Sequence, residues 1–242
     1  MPQVVAIILW VLLGLISLPI AYILFGCVCA LFVNRKKQYT KHNGFYRFLL
    51  NSITIMVLFF LRVKIHVTGK EHLPEGRFLL ASNHRSNYDP IITWAVLRKQ
   101  NLAFVSKPSN FKIPFFGWIA RRCCFMAIDR ENARNAITTL NTASQLIIDN
   151  QTSVAVYPEG TRSKTGELLP FHNMMFRIAQ KSKVPIVVMT VCGTEKIRKR
   201  TPWRRTHVYI NILGAIPAEE VLSKHTSELG EQIYQQMTDS LK

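Results

Sequence analysis

The hydrophobic pattern divides the chain near residue 62. Val4 to Val33 contains no charged side chain, and Arg35, Lys36, Lys37 and Lys41 follow at once. An apolar run of that length with a basic flank predicts a membrane segment whose flank stays cytoplasmic. As one straight helix it measures about 45 Å against about 30 Å of hydrocarbon, so it tilts, bends at Pro19 or protrudes. A second apolar run, Phe48 to Leu61 between Arg47 and Arg62, spans only about 21 Å as a helix and suits the interface better than a crossing. Two arrangements fit: a helical pair seated in the cytoplasmic leaflet, or a true crossing by the first run. A signal peptide does not fit, because no Lys or Arg precedes Val4 and the run is too long.

From Val63 onward, short β-branched runs alternate with helical patterns. Strands are predicted at Val63–Val67, Phe78–Ser82, Leu102–Ser106, Phe125–Ile128, Ser153–Tyr157, Ile186–Cys192 and His207–Leu213. Between them, Asn132–Asn150 spaces Ala136, Leu140, Ala143, Ile147 and Ile148 at helical intervals, and Ser227–Leu241 reads as a polar terminal helix. The expected fold is α/β, a largely parallel or mixed sheet flanked by helices, with an N-terminal membrane-embedded helical pair. The expected domains are an anchor over 1–62 and a catalytic body over 63–242. There are no internal repeats.

Composition sharpens this picture in two respects. The formal charge of +17 over 242 residues attracts polyanions: nucleic acid, anionic lipid or an acidic carrier protein. The five cysteines, Cys27, Cys29, Cys123, Cys124 and Cys192, show no metal-ligand spacing and read as structural thiols in a reducing compartment.

Chemistry concentrates at strand ends. Asn83-His84-Arg85-Ser86-Asn87-Tyr88-Asp89-Pro90 follows a strand and precedes the helix-like run Ile91–Leu97. Within one helix, His84 and Asp89 would point about 140° apart, but on a turn they can meet. The carboxylate then fixes the imidazole tautomer, and the other ring nitrogen is left to deprotonate a hydroxyl. The bland alternative is an ordinary helix start, with Asp89 as N-cap and Pro90 at the first position. With two oxygens, Asp89 can serve both roles.

Tyr157-Pro158-Glu159-Gly160-Thr161-Arg162-Ser163 also follows a strand. Arg162 there offers a planar fork for phosphate oxygens, and Glu159 can orient a hydroxyl or the Arg itself; the alternative is a surface ion pair. Lys107 closes a third strand, and Ile128-Asp129-Arg130 a fourth. In parallel α/β sheets such ends gather on one side, so one shared site is expected.

Taken together, these segments resemble the glycerolipid acyltransferase family, in particular bacterial 1-acyl-glycerol-3-phosphate acyltransferases, from about Val63 to Leu213. Asn83-His84 to Asp89 resembles its NHxxxxD motif, Tyr157 to Arg162 its PEGTR motif, Lys107 to Arg130 its acceptor-binding block and Val184-Pro185-Ile186 its fourth block. The resemblance implies His84 as base with Asp89 orienting it, and Glu159, Gly160, Thr161, Arg162 and Lys107 around the acceptor's phosphate. Asn83 and Arg130 take supporting places. It implies no metal and no bound cofactor; acyl-carrier protein or acyl-CoA is the donor and a lysophospholipid the acceptor, at the cytoplasmic side of the cell membrane. The chain departs from the family at His172 and Met174, which replace the usual continuation of the PEGTR block, at Val188 where proline is usual, and at Cys124, where glycine is common.

Direct attack of the acceptor hydroxyl on a thioester is therefore expected. An acyl-enzyme route lacks a G-x-S-x-G elbow or a cysteine near a histidine in sequence. Two rivals remain: the same chemistry on glycerol 3-phosphate, another lysophospholipid or a lyso-aminolipid, and a non-enzymatic membrane adaptor or nucleic-acid binder. The latter is motivated by Lys196–Arg200 and Arg204-Arg205, but no nucleic-acid module accompanies them and no nucleic-acid partner is expected.

Overall fold

A computed structural model of the chain describes residues 2–129 and 131–242; Arg130, expected to support the site, lies outside the described residues. Each predicted strand forms: β1 (Val63–Thr68), β2 (Leu79–Ser82), β3 (Leu102–Ser106), β4 (Met126–Ala127), β5 (Ser153–Val156), β6 (Ile186–Cys192) and β7 (Thr206–Ile216). They make one sheet in the order β1-β7-β6-β2-β5-β3-β4. The sheet is mixed. β2 to β6 run parallel, whereas β7 meets β6 antiparallel and carries β1 parallel to itself. The carboxyl ends of β2 to β6 thus share one edge with the amino ends of β1 and β7, and that edge gathers the motif loops.

Burial explains why the central strands read as unbroken apolar runs. Phe78, Leu79, Leu80 and Ala81 are all fully buried, as expected where both sheet faces are covered. The cover comes from α3 (Asp89–Val96), α4 (Phe116–Arg122), α5 (Ala133–Ile148), α6 (Arg177–Ser182), α7 (Ile197–Arg200), α8 (Ala218–Ser223) and α9 (Thr226–Leu241), preceded in the chain by α1 (Pro2–Leu31) and α2 (Gly44–Phe60). In α5, Asn132 caps the first turn by accepting from Asn135 N, and Leu140, Ala143, Leu146 and Ile147 face the core. In α9, Leu229, Ile233 and Met237 bury a stripe at four-residue spacing.

α1 is one 30-residue helix with Pro19 inside it, long and apolar enough to cross a membrane. Only its last third meets the body: Tyr22 hydroxyl contacts Ser52, Tyr46 hydroxyl donates to Cys29 O, and Gly26 lies against Ile53 and Leu49. α2 starts at Gly44, four residues before the predicted run, because Asn43 caps it through Tyr46 N. It is two-faced. Leu50, Thr54 and Leu58 are buried, while Phe45, Phe48, Ile55 and Phe59 are exposed. The buried face includes Arg47, whose guanidinium donates to Leu102 O (2.9 Å) and Cys123 O (3.2 Å) and lies over the Trp94 ring. Burial lowers the Arg47 pKa. A cation among carbonyl oxygens and an aromatic face is held without a carboxylate.

All five cysteines are free, and burial pushes the Cys123 thiol up to about 12 and raises Cys124 and Cys192 as well. Cys124 adopts a φ of 68°, which accounts for the glycine common at this place in the family.

Candidate active site

The site begins where β2 stops. Asn83 is buried, and its side chain pairs with Val191 at the end of β6, donating to Val191 O (3.0 Å) and accepting from Val191 N (2.7 Å). The amide thereby continues the sheet for one step after the β2 backbone has turned away. His84 follows, and its own backbone is held by the loop after β5. His84 N donates to Glu159 Oε1 (2.6 Å), and Ser163 N donates to His84 O (2.8 Å).

His84 Nδ1 lies 2.8 Å from Asp89 Oδ2, so the predicted turn does bring the pair together. The same carboxylate oxygen accepts from Arg85 N (2.6 Å) and Ser86 N (2.7 Å), and Oδ1 accepts from the Thr194 hydroxyl (2.5 Å). The cap reading is corrected by this arrangement. Asp89 is the first residue of α3 with Tyr88 before it, and no side chain caps the helix. The carboxylate turns back to the preceding loop because the amides of Arg85 and Ser86 and the imidazole converge there. Asp89 is fully buried, whereas the His84 side chain is 17% exposed. With a carboxylate as partner, Nδ1 is the donor, and Nε2 keeps its lone pair on the accessible side. The imidazole stacks on Tyr157 with centroids 4.4 Å apart. Burial, reinforced by the Asp89 charge, pushes the Tyr157 phenol well above its ordinary value, so the ring is a neutral platform.

Two of these partners escaped the sequence reading. Thr194 sits 105 residues after Asp89, just past β6, and is fully buried. Nothing in its local sequence marks it. Tyr157 enters the sequence reading only as the end of the strand Ser153–Tyr157 and the start of the loop motif, with no role of its own.

Glu159 is buried and spends both oxygens on backbone amides, those of His84 and Leu169 (3.0 Å). It therefore braces loops instead of orienting Arg162. Burial raises its pKa, and the two amides oppose that shift. Gly160 has a φ of 72°, which lets the loop turn immediately after the brace. Thr161 and Arg162 are exposed beyond it and line a recess of about 450 Å³ with Arg85, Ser163 and Lys164, where Glu195 also stands. Arg85 is fixed there by donating to Gly166 O. Among the described residues, Arg162 has no ion-pair partner; the surface-pair alternative is absent there. Lys107 directly follows β3 on the same edge and is exposed, but it does not line this recess. No cluster able to hold a metal ion occurs among the described residues.

One edge of the mixed sheet thus presents a His-Asp pair together with a guanidinium that has no ion-pair partner among the described residues. The acyltransferase family profile matches residues 64–192, more than half of the chain, and the protein belongs to that family. Similar proteins include the 1-acyl-sn-glycerol-3-phosphate acyltransferase of Saccharomyces cerevisiae, 31% identical over 75% of this chain and 61% of the yeast protein. The Haemophilus influenzae protein of the same name is 27% identical over 73% of this chain and 79% of its own length. The chain thus spans less than two thirds of the yeast relative, and 39% of a chloroplastic Brassica napus relative. Among solved structures, the 1-acyl-sn-glycerophosphate (LPA) acyltransferase of Thermotoga maritima shares the fold, with a TM-score of 0.64 at 22% identity over 82% of this chain and 86% of that one.

Proposed function

We propose that this protein transfers a fatty acyl group from acyl-carrier protein or acyl-CoA to the sn-2 hydroxyl of 1-acyl-glycerol 3-phosphate, giving phosphatidic acid. The observation that carries the proposal is the 2.8 Å His84–Asp89 pair on the edge that also presents Arg162. The names of the relatives agree with it.

His84 Nε2 takes the proton of the acceptor hydroxyl as its oxygen attacks the thioester carbonyl. A tetrahedral intermediate forms, the carbon–sulfur bond breaks, and the imidazolium returns its proton to the departing thiolate. Asp89 stabilises the transient imidazolium and keeps the ring in the reactive tautomer. Such a base contributes about 10²- to 10⁴-fold, and positioning supplies much of the rest. Arg162 and Lys107 bind the phosphate, with Thr161 and the Gly160 turn shaping its seat. Glu159 contributes by fixing His84 and the phosphate loop to each other.

In this reading α1 and α2 hold this edge at the bilayer, and the basic flank of Arg35, Lys36, Lys37 and Lys41 supports a cytoplasmic orientation. In domain terms, 1–62 is the anchor and 63–242 the catalytic body. The test is to offer the purified protein a labelled acyl thioester with 1-acyl-glycerol 3-phosphate, glycerol 3-phosphate and phosphate-free monoacylglycerol. Acylation of the first is expected, with loss in Arg162→Ala. Acylation of the phosphate-free acceptor alone would overturn the assignment of Arg162 and Lys107.

A further inference from the structure

The connection from β6 to β7 leaves the dyad and runs to the end of α2. It starts at Gly193 and Thr194, the latter donating to Asp89. It then passes through α7 and reaches Trp203, which is 85% exposed. Its sequence neighbours Arg198, Lys199, Arg200, Arg204 and Arg205 are all exposed, and none enters an ion pair among the described residues. A tryptophan so exposed leaves about 150–250 Å² of ring surface in water unless something covers it.

The loop is also fastened to the end of α2. Arg62 donates to Pro202 O (3.3 Å) and Trp203 O (3.2 Å), Thr201 hydroxyl donates to Leu61 O (3.4 Å), and Thr206 N donates to Arg62 O (3.1 Å). Immediately before Leu61, Phe59 and Phe60 are 77% and 54% exposed. The backbone of Trp203 is thereby tied to the end of α2, where its exposed aromatic residues stop, and the five exposed cations all lie within about five residues of it in sequence. Apolar ring and basic rim together match the boundary between acyl chains and anionic headgroups.

We infer that the Lys196–Arg205 loop is a second membrane contact, in which Trp203 enters the interface and the surrounding Arg and Lys side chains bind anionic phospholipid headgroups. The occupant is a lipid surface and not an acidic protein, because the ring and the cations continue a lipid-facing helix. The contact sets the tilt of the active edge on the bilayer, since the β6–β7 connection that contains this loop begins with Thr194. It holds whichever acceptor the site takes.

The test uses the full chain reconstituted into phosphatidylcholine vesicles with and without phosphatidylglycerol. The difference between wild-type and Trp203→Phe emission isolates Trp203 from the other three tryptophans. The expected result is that lipid brominated near the headgroup quenches this difference signal about twofold or more when phosphatidylglycerol is present, and that aqueous acrylamide quenches it poorly. In a variant with Arg198, Lys199, Arg204 and Arg205 all changed to Gln, the bromine quenching drops, each basic residue near an anionic surface being worth about fivefold in binding. Acrylamide-accessible Trp203 untouched by brominated lipid would overturn the inference. So would bromine quenching unchanged in the four-Gln variant while an acidic acyl-carrier protein no longer binds, which would assign the cations to the carrier.

Discussion

A single carboxylate organises this site. Asp89 receives donors from an imidazole, two backbone amides and a hydroxyl, so its position is over-determined and the His84 ring inherits that fixity. Asp89→Asn keeps an oxygen toward the imidazole and the amides of Arg85 and Ser86 and turns its NH2 to the Thr194 hydroxyl, but it removes the charge that stabilises the imidazolium; we expect kcat to fall about 10²- to 10⁴-fold and stability to drop by about 1–3 kcal/mol. Thr194→Val is the finer probe. It removes the one donor to Oδ1, and a hydrogen bond to a charged group of this kind is worth about 1.5–3 kcal/mol. The expected outcome is at least about a tenfold loss in kcat with KM unchanged, largely restored by Thr194→Ser. An unchanged kcat would show that the two amides and the imidazole suffice. Sequence revealed the His84–Asp89 spacing because the partners are five residues apart on a turn. It was silent on Thr194 because the contact is made by topology: β6 must lie beside β2 before residue 194 can reach residue 89.

At the scale of elements, strands were legible where β-branched residues are buried on both faces, as in Ile186-Val187-Val188. The reversal at β7 was not legible, since its alternating buried and exposed pattern is the same whichever way the strand runs. The helix ends depended on caps such as Asn43 that lie outside the apolar run. The brace between loops was misjudged for a related reason: Glu159 in a polar loop suggests an ion pair, yet its two oxygens serve the amides of residues 84 and 169. That brace makes a pH prediction. Burial raises the folded pKa of Glu159 above its ordinary value of 4.5, so between the unfolded and folded values the native state holds more protons than the unfolded chain. Its stability contribution is fullest below the unfolded value and declines as pH rises through the folded one. Glu159→Gln does not titrate, so the wild type's advantage over this variant should shrink as pH rises from about 4 toward neutrality. Thermal unfolding of both proteins across that range measures the slope, and an advantage that grows with pH would contradict the assignment of burial as the dominant effect.

Across the whole molecule, two kinds of apolar surface have different origins. The surface inside the sheet layers is buried by the chain itself, whereas that of α1 is left exposed: Val4, Val5, Ile7, Ile8, Leu9 and Trp10 are all more than half exposed. So large an uncovered apolar surface is unfavourable in water, and a bilayer is its proposed cover. Close contact with the body is seen at Tyr22 and Gly26, and among the described residues of the first twenty no side chain is buried. Deleting residues 1–20 should therefore shift the melting temperature of the body by no more than about 3 °C, because the deletion takes away no core contact. Acylation of a short-chain acceptor dispersed as monomers should survive, since the dyad and its braces are intact. Acylation of a long-chain acceptor embedded in vesicles should fall at least about tenfold, through loss of effective concentration at the surface. A large drop in melting temperature would mean instead that the exposed helix is a structural part of the body, and that the membrane edge and the active edge are one folding unit.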